Sequence, residues 1–402
     1  MHPSHLLLLA GTAVAQSLQD VLTAQSATLS TLNGWLASEA LIFDILNSAQ
    51  GITILAPSNN ALAALYSTTL PTQLALDSNL LTAFLSYHVL DGVFFASDFL
   101  NTPIASAPTF LNMQAYSNVS GGQVVQSRSQ NGGITFFSGN NVQSNVQAYD
   151  FNYVGGTLHI IDTALTIPAR ITDTLITTGL TACVGALQRA GIEAAVNNAP
   201  DITLFVPTNA AFDAIGSILN GMTLEQLTTV LNYHVVRGQV LYSQLIKGGG
   251  TVVTAEGAAL NFRVVQGALF VNSARVVVTD VLVGNGVVHF IDGVLNPANP
   301  TATPDPAAAT QAPAFSGANT AAGGVPFTSS IILSTTTTLI PTGPTPTASS
   351  GPTPPPPVVT AGAARKEMMG FGGDIKMGVG MVAAVVGGLV GGLVGGVVVL
   401  GS

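Results

Sequence analysis

The stretch ITLFVPTNAAF, residues 202–212, decides how this chain is read. Ile202, Leu204 and Val206 fall on one face of an extended segment, and Thr203 and Phe205 on the other. Pro207 ends that ladder because it has no N–H to donate. Thr208 or Asn209 can then cap a helix, since either side chain can accept a bond from a free first-turn amide. The reading is a buried strand that runs into a helix. Nearly the same phrase stands earlier as ITILAPSNNAL, residues 52–62.

Two further phrases repeat in the same order. Tyr87-His88-Val89 returns as Tyr233-His234-Val235, and GTLHIIDTALTIP (156–168) returns as GVVHFIDGVLNP (286–297), one residue shorter before the proline. Chance matches do not preserve order, so the chain contains a tandem duplication. Each copy has the length of one globular domain, and the boundaries fall at 16–168 and 169–297. In the second copy, ITDTLITTGLTACVGALQRAGIEAAVNN has helical spacing and predicts two short helices. TLEQLTTVLNYHVVRG predicts a helix running into a strand near His234. Four strand-like runs follow (GTVVTA, ALNFRVV, ALFVNSARVVVTDVLVG and GVVHFID), with Asn285-Gly286 as the hairpin turn before the last. Gly155-Gly156 holds that place in the first copy. Helices first and a mostly antiparallel sheet second make each copy an α+β domain.

The flanks have a different composition. Residues 1–15, MHPSHLLLLAGTAVA, place a leucine run before a small-x-small site, the pattern of a signal peptide cleaved after Ala15, although no Lys or Arg precedes the run. Residues 298–360 are rich in Ser, Thr and Pro and almost uncharged. Such a segment cannot bury a core, and it reads as a disordered, O-glycosylated stalk. Residues 361–402 combine small residues, a polar spacer and an apolar tail, the layout of a GPI-attachment signal. Ala361, Gly362 and Ala363 are the candidate attachment residues, with Gly370 to Gly373 as a second choice. The alternative is a membrane-spanning helix. It lacks the usual basic cytoplasmic flank, because only Gly401 and Ser402 follow the run.

Only 7% of residues are charged, and the net charge is −9. The first copy carries eight acids and one base, Arg128; the second carries eight acids and six bases. Neither forms a basic patch, which argues against nucleic acid as a partner. Asn118-Val119-Ser120 is an N-glycosylation sequon. The single cysteine, Cys183, rules out an internal disulfide and lies among Leu180, Val184 and Leu187 as a small buried apolar residue. The chain has no His-Glu-x-x-His, cysteine pair, Gly-x-Ser-x-Gly or P-loop, so nothing calls for a cofactor, a metal or catalysis. His159 and Asp162, like His289 and Asp292, are three apart, which on a strand puts the side chains on opposite faces.

FVPTNAAF, NYHVV and GVVHFIDGVLNP together resemble the conserved boxes of the fasciclin family. The resemblance covers about residues 18–297. The first copy departs from it in detail, with Leu62 where Phe is usual. It implies two tandem domains, each a β-sandwich or wedge with a helical lobe, in a secreted or surface adhesion protein; the stalk and tail are similar to those of fungal members. It also makes Tyr87, His88, Tyr233 and His234 candidates for an adhesion surface. The residues themselves suggest a blander role for the two histidines, as buried imidazoles bonding backbone groups where helix meets strand. The expected partners are cell-surface, wall or matrix proteins or glycans, with the membrane reached through the GPI anchor. The rival roles are a wall-organising protein without a specific ligand, and an apolar small-molecule or lipid carrier.

Overall fold

The computed structural model describes residues 16–38, 40–320, 323–328 and 331. The expected signal peptide, residues 332–360 of the expected stalk and the expected attachment signal with Ala361, Gly362 and Ala363 lie outside the described residues. In the first domain the strands are β1 (Ile52–Pro57), β2 (Val89–Asp91), β3 (Ile104–Pro108), β4 (Val124–Gln130), β5 (Gly133–Phe137), β6 (Gln143–Tyr153) and β7 (Gly156–Ile161). In the second they are β8 (Ile202–Pro207), β9 (Val235–Val236), β10 (Gly250–Val253), β11 (Ala259–Val265), β12 (Ala268–Val271), β13 (Ala274–Val283) and β14 (Gly286–Ile291). Each domain forms one seven-stranded sheet, in the orders β2-β1-β7-β6-β5-β4-β3 and β10-β11-β12-β13-β14-β8-β9.

The repeated phrases are partners. β1 runs parallel to β7, Ile52 opposite Gly156 through Pro57 opposite Ile161. β8 runs parallel to β14 in the same register, Ile202 opposite Gly286 through Pro207 opposite Ile291. All the other pairings in both sheets are antiparallel. In the first domain the long β6 pairs with β5 through its first residues and with β7 through the rest. The sheet curls far enough for Leu90 to bridge Thr109, bringing its two edges together.

Strand alternation divides two cores. Ile202, Leu204 and Val206 pack with Val184, Leu187, Phe212 and Leu231 of the helical lobe. Phe205 points to the other side, among Tyr233, Phe262 and Leu269 inside the curled sheet. The first domain repeats this, with Ile52, Ile54 and Ala56 toward its helices and Leu55 toward Phe136. Each such aliphatic side chain contributes about 1.5–3 kcal/mol by leaving water. Burial on both faces is why these strands are continuous apolar runs.

Local chemistry sets the junctions. Thr208 caps helix Asn209–Ala214, its hydroxyl accepting from Ala211 N, and Ser58 does the same for Asn59–Tyr66. Asn209 does other work: its Oδ1 accepts from Ala182 N (3.0 Å) and its Nδ2 donates to Gly179 O (2.8 Å), tying the junction to the preceding helix. Asn59 Oδ1 likewise accepts from Thr31 N (2.8 Å). The helical stretch after Arg170 is three helices, Ile171–Thr177, Thr181–Ala190 and Glu193–Asn198, because Gly179 and Gly191 break it at positive φ.

Besides this third helix where two were expected, two further sequence expectations are corrected. The last hairpin turns at Gly284-Asn285, one residue before the expected Asn285-Gly286, since Val283 pairs with Gly286. Neither Gly284 nor Asn285 adopts the left-handed backbone that an Asn-Gly type I′ turn would use. The second correction concerns the start of the stalk at 298. Residues 298–320 and 323–328 are strapped onto the second domain. Arg275 Nη2 donates to Ala308 O (3.0 Å), Asn296 Nδ2 to Ala314 O (3.1 Å), and Ser217 N to Asn319 O (3.0 Å). Phe315, Val325 and Phe327 pack on the helical core. Composition hid this because three spaced apolar anchors and a few hydrogen bonds suffice to hold a strap rich in Ala, Pro and Thr.

Phe327 is a half-buried anchor with several ring and backbone contacts. Its ring meets Phe212 edge to face (6.2 Å), Arg189 lies 5.4 Å from its centroid, and its backbone crosses Gly185 where a Cβ would collide with its carbonyl. Its φ of 66° is uncommon for an aromatic residue and persists only because the surroundings hold it. Phe327→Ala is expected to cost about 2 kcal/mol. Hydrogen exchange should quicken over 315–328 and stay slow in β8 and β14; equal loss in those strands would refute the local docking.

Candidate functional site

The four Tyr-His candidates are inside the domains. Tyr87 and Tyr233 are 0% exposed, His88 4% and His234 2%. Helix Leu224–Tyr233 ends at His234, where the chain turns into β9. Leu295 N donates to His234 Nε2 (2.9 Å), so the proton sits on Nδ1, which donates to Val230 O (2.7 Å). His88 repeats the bridge, taking Leu165 N on Nε2 (2.9 Å) and giving Nδ1–H to Phe84 O (2.8 Å). Burial holds both imidazoles down at about 4. The tyrosine hydroxyls donate to Val124 O (3.1 Å) and Ala259 O (2.8 Å). A partner touching the intact surface does not reach these side chains, so the expected adhesion surface is not at this motif. The motif is a brace between helix end, strand and the Leu165 or Leu295 loop.

The second histidine of each copy accepts a backbone N–H from an aspartate other than the one three residues on. Asp162 is used by Asn145, at 2.8 Å from both its N and its Nδ2. His159 Nδ1 instead accepts from Asp150 N (3.1 Å), and its Nε2–H goes to Phe94 O (2.8 Å). His289 does the same with Asp280 N (3.3 Å) and Leu241 O (2.8 Å). Asp150 and Asp280 sit at irregularities of β6 and β13 with φ of 63° and 62°. Their carboxylates accept from Ala96 N (2.8 Å) and Ser243 N (2.6 Å), the starts of two short helices. Sequence reasoning missed these bulge pairs. The signal was present: Asp precedes His by the same interval in both copies.

In all four histidines both ring nitrogens are taken by backbone groups, which leaves none of them free as a base or ligand. Among the described residues no group of three His, Cys, Asp or Glu could hold a metal ion. Cys183 is buried, and desolvation pushes its thiol up to about 12, so it is no nucleophile.

A groove of about 380 Å³ lies between the domains. Its walls include Gln114, Tyr116 and Asn118 from the first domain, and Arg170, Asn197 and Asn198 from the second. Around it the domains are joined by amide, hydroxyl and carboxylate groups. Asn118 Nδ2 donates to Asn198 O (3.0 Å), Asn118 N to Gly284 O (2.7 Å), and Gln123 Nε2 to Val283 O (2.8 Å). Asp201 accepts from both Ser120 N (2.7 Å) and Ser120 Oγ (2.6 Å). Arg128, the one base of the first domain, lies over Phe137; burial lowers its pKa, and the charge of Asp280 across the junction opposes that shift. Arg170 is tied to Asp173 by two bonds, at 2.8 and 3.1 Å. The groove is lined by amides, an aromatic ring and the Asp173-paired guanidinium of Arg170.

The Fasciclin domain family matches this chain twice, over residues 27–168 and 178–297. A fasciclin-like arabinogalactan protein of Arthroderma benhamiae is 36% identical over 311 residues, covering 76% of this chain and 73% of that protein. A cell surface glycolipoprotein of Mycobacterium bovis is 38% identical over 107 residues, 25% of this chain and 46% of that protein. The solved FAS1 domain pair from the insect cell adhesion molecule Fasciclin I is 20% identical, with a TM-score of 0.32 over 67% of this chain and 96% of that one. With both copies matched across the strands, helices and buried Tyr-His braces described above, the chain belongs to the Fasciclin domain family.

Proposed function

We propose that this is a secreted, GPI-anchored surface glycoprotein that makes adhesive or wall and matrix contacts through its paired domains. One observation carries the reading. The histidines, tyrosines, threonines and asparagines repeated between the copies are turned inward onto backbone groups, so each domain is a shape-holding module and not a reaction centre. Thr53 and Thr203 complete the set, donating to Gly92 O (2.7 Å) and Gln239 O (2.8 Å). The names of the relatives, an arabinogalactan protein and a cell surface glycolipoprotein, support a surface setting. So do the leader-like start, the Ser/Thr/Pro run and the attachment-like tail. Among the described residues no helix is long and apolar enough to cross a membrane.

The carrier reading has less behind it. The apolar cavity beside Trp35, Leu36 and Phe84 holds about 30 Å³, room for roughly one water molecule. Ligand pockets run to hundreds of cubic ångströms.

Phosphatidylinositol-specific phospholipase C on intact, surface-labelled cells tests the proposal. Release of the labelled chain, followed by saturable binding of the soluble product to wall or matrix material, is the expected result. Retention while a control GPI protein is released would overturn the anchor. Release without saturable binding would leave the organising role without a specific ligand.

A further inference from the structure

We infer that the groove between the domains is a saccharide subsite, and that its occupant is the chain's own glycan on Asn118. This rests on the secretory route proposed above. The sequon Asn118-Val119-Ser120 forms one wall of the junction, and Asn118 itself lines the groove. Tyr116 offers an aromatic face, and Gln114 and Asn198 offer amides, the donors and acceptors that sugar hydroxyls match. Two further wall residues have buried polar atoms without a protein partner: Ser117 Oγ, in a residue 4% exposed, and Asn285 Oδ1, in a residue 2% exposed. Buried polar atoms seek partners, and hydroxyls of a sugar in this groove supply them. Its volume of about 380 Å³ lies within the range of ligand sites.

The bond to Asn198 is compatible with the modification. The Asn118 amide nitrogen has two N–H groups and uses one on Asn198 O. In glycosyl transfer, that nitrogen bonds the anomeric carbon of a polyprenyl diphosphate-linked oligosaccharide. The carbon–oxygen bond to the diphosphate breaks, and the amide gives up one proton. One N–H remains, so the domain contact survives.

Order of synthesis follows from the same contacts. The sequon's amide and hydroxyl are held by Asn198 and Asp201, about 80 residues later in the chain. Transfer must therefore precede docking of the second domain, which then closes over the first sugars. The glycan becomes part of the junction.

The test expresses the full chain in a eukaryotic secretory host, once with its own first 15 residues and once with a proven leader in their place. Peptide mapping is expected to find one glycan on Asn118. An endoglycosidase should remove it at least about tenfold more slowly from native than from denatured protein. Ser120→Thr should keep both glycan and resistance. Asn118→Gln should open the groove, so that free di-N-acetylchitobiose binds the variant and not the wild type. An unmodified Asn118 behind the proven leader, equal removal from native and denatured protein, or equal disaccharide binding to wild type and variant would overturn the inference. Glycosylation behind the proven leader alone would instead count against the secretory route and leave the subsite standing.

Discussion

Acidification from pH 6.5 to 4 is expected to remove about 3 kcal/mol of stability from each domain, through one histidine apiece. His88 and His234 are held neutral inside the fold, with values near 4 against an ordinary 6.5. The unfolded chain binds the proton at higher pH than the folded one, so each contribution is whole above pH 6.5. It falls away as pH drops toward 4, and below that this group adds no further loss. The cause is geometric. Protonating Nε2 destroys its capacity to accept from Leu165 N or Leu295 N, and places a charge where it is not solvated. His159 and His289 are lowered by burial too and push in the same direction. Asp292, raised by burial, opposes them weakly. A loss of this size is a large fraction of a typical domain's stability. Urea midpoints at pH 7.5 and 4.5 check it, with the unfolding of each domain followed separately. Flat stability across that window would show that the native imidazoles take up protons as readily as the unfolded ones.

Gly286→Ala should be the most damaging single methyl in the second domain, costing about 4 kcal/mol or more. Gly286 opens β14 at φ 153°, and a Cβ there would drive into the carbonyl of Ile202, its partner in the parallel pair. Both neighbours are backbone at the centre of the sheet, so neither can move aside cheaply. Gly156 faces Ile52 in the same way at φ 158°. A surface glycine supplies the control. Gly257, at φ 84° with nothing within 4 Å of a built Cβ, should lose only about 1 kcal/mol as Ala. Thermal unfolding of the two variants decides the matter; equal shifts would mean that the close approach carries no cost of its own.

Much of this architecture was legible because the chain states it twice. The alternation in ITLFVP separated the two cores correctly, and Pro207 ended the strand as expected. What failed were inferences that need a partner from elsewhere. Asn209 looked like a cap, but its side chain is claimed by Gly179 and Ala182, about 30 residues earlier. Gly286 looked like a turn residue because Asn-Gly usually is one; the approach of Ile202 from a distant strand gives it another purpose. The three-residue spacing correctly kept Asp162 and Asp292 apart from the histidines, but it did not reveal that β-bulges bring Asp150 and Asp280 to them instead. The groove was invisible because its walls come from both copies, and periodicity within one copy says nothing about how it meets the next.

The strap over the second domain has a mechanical consequence. A pull applied beyond residue 331 reaches Phe327 before it reaches any strand. Its anchors are separate and small, a few hydrogen bonds and rings, so they yield one after another as a zipper does. Behind them stands β14, bonded along its whole length to β8 and β13, which must be broken together in shear. Freeing the roughly 30 residues of the strap lengthens the molecule by about 100 Å at full extension. The chain thus carries its own slack, released under load before either domain is put at risk.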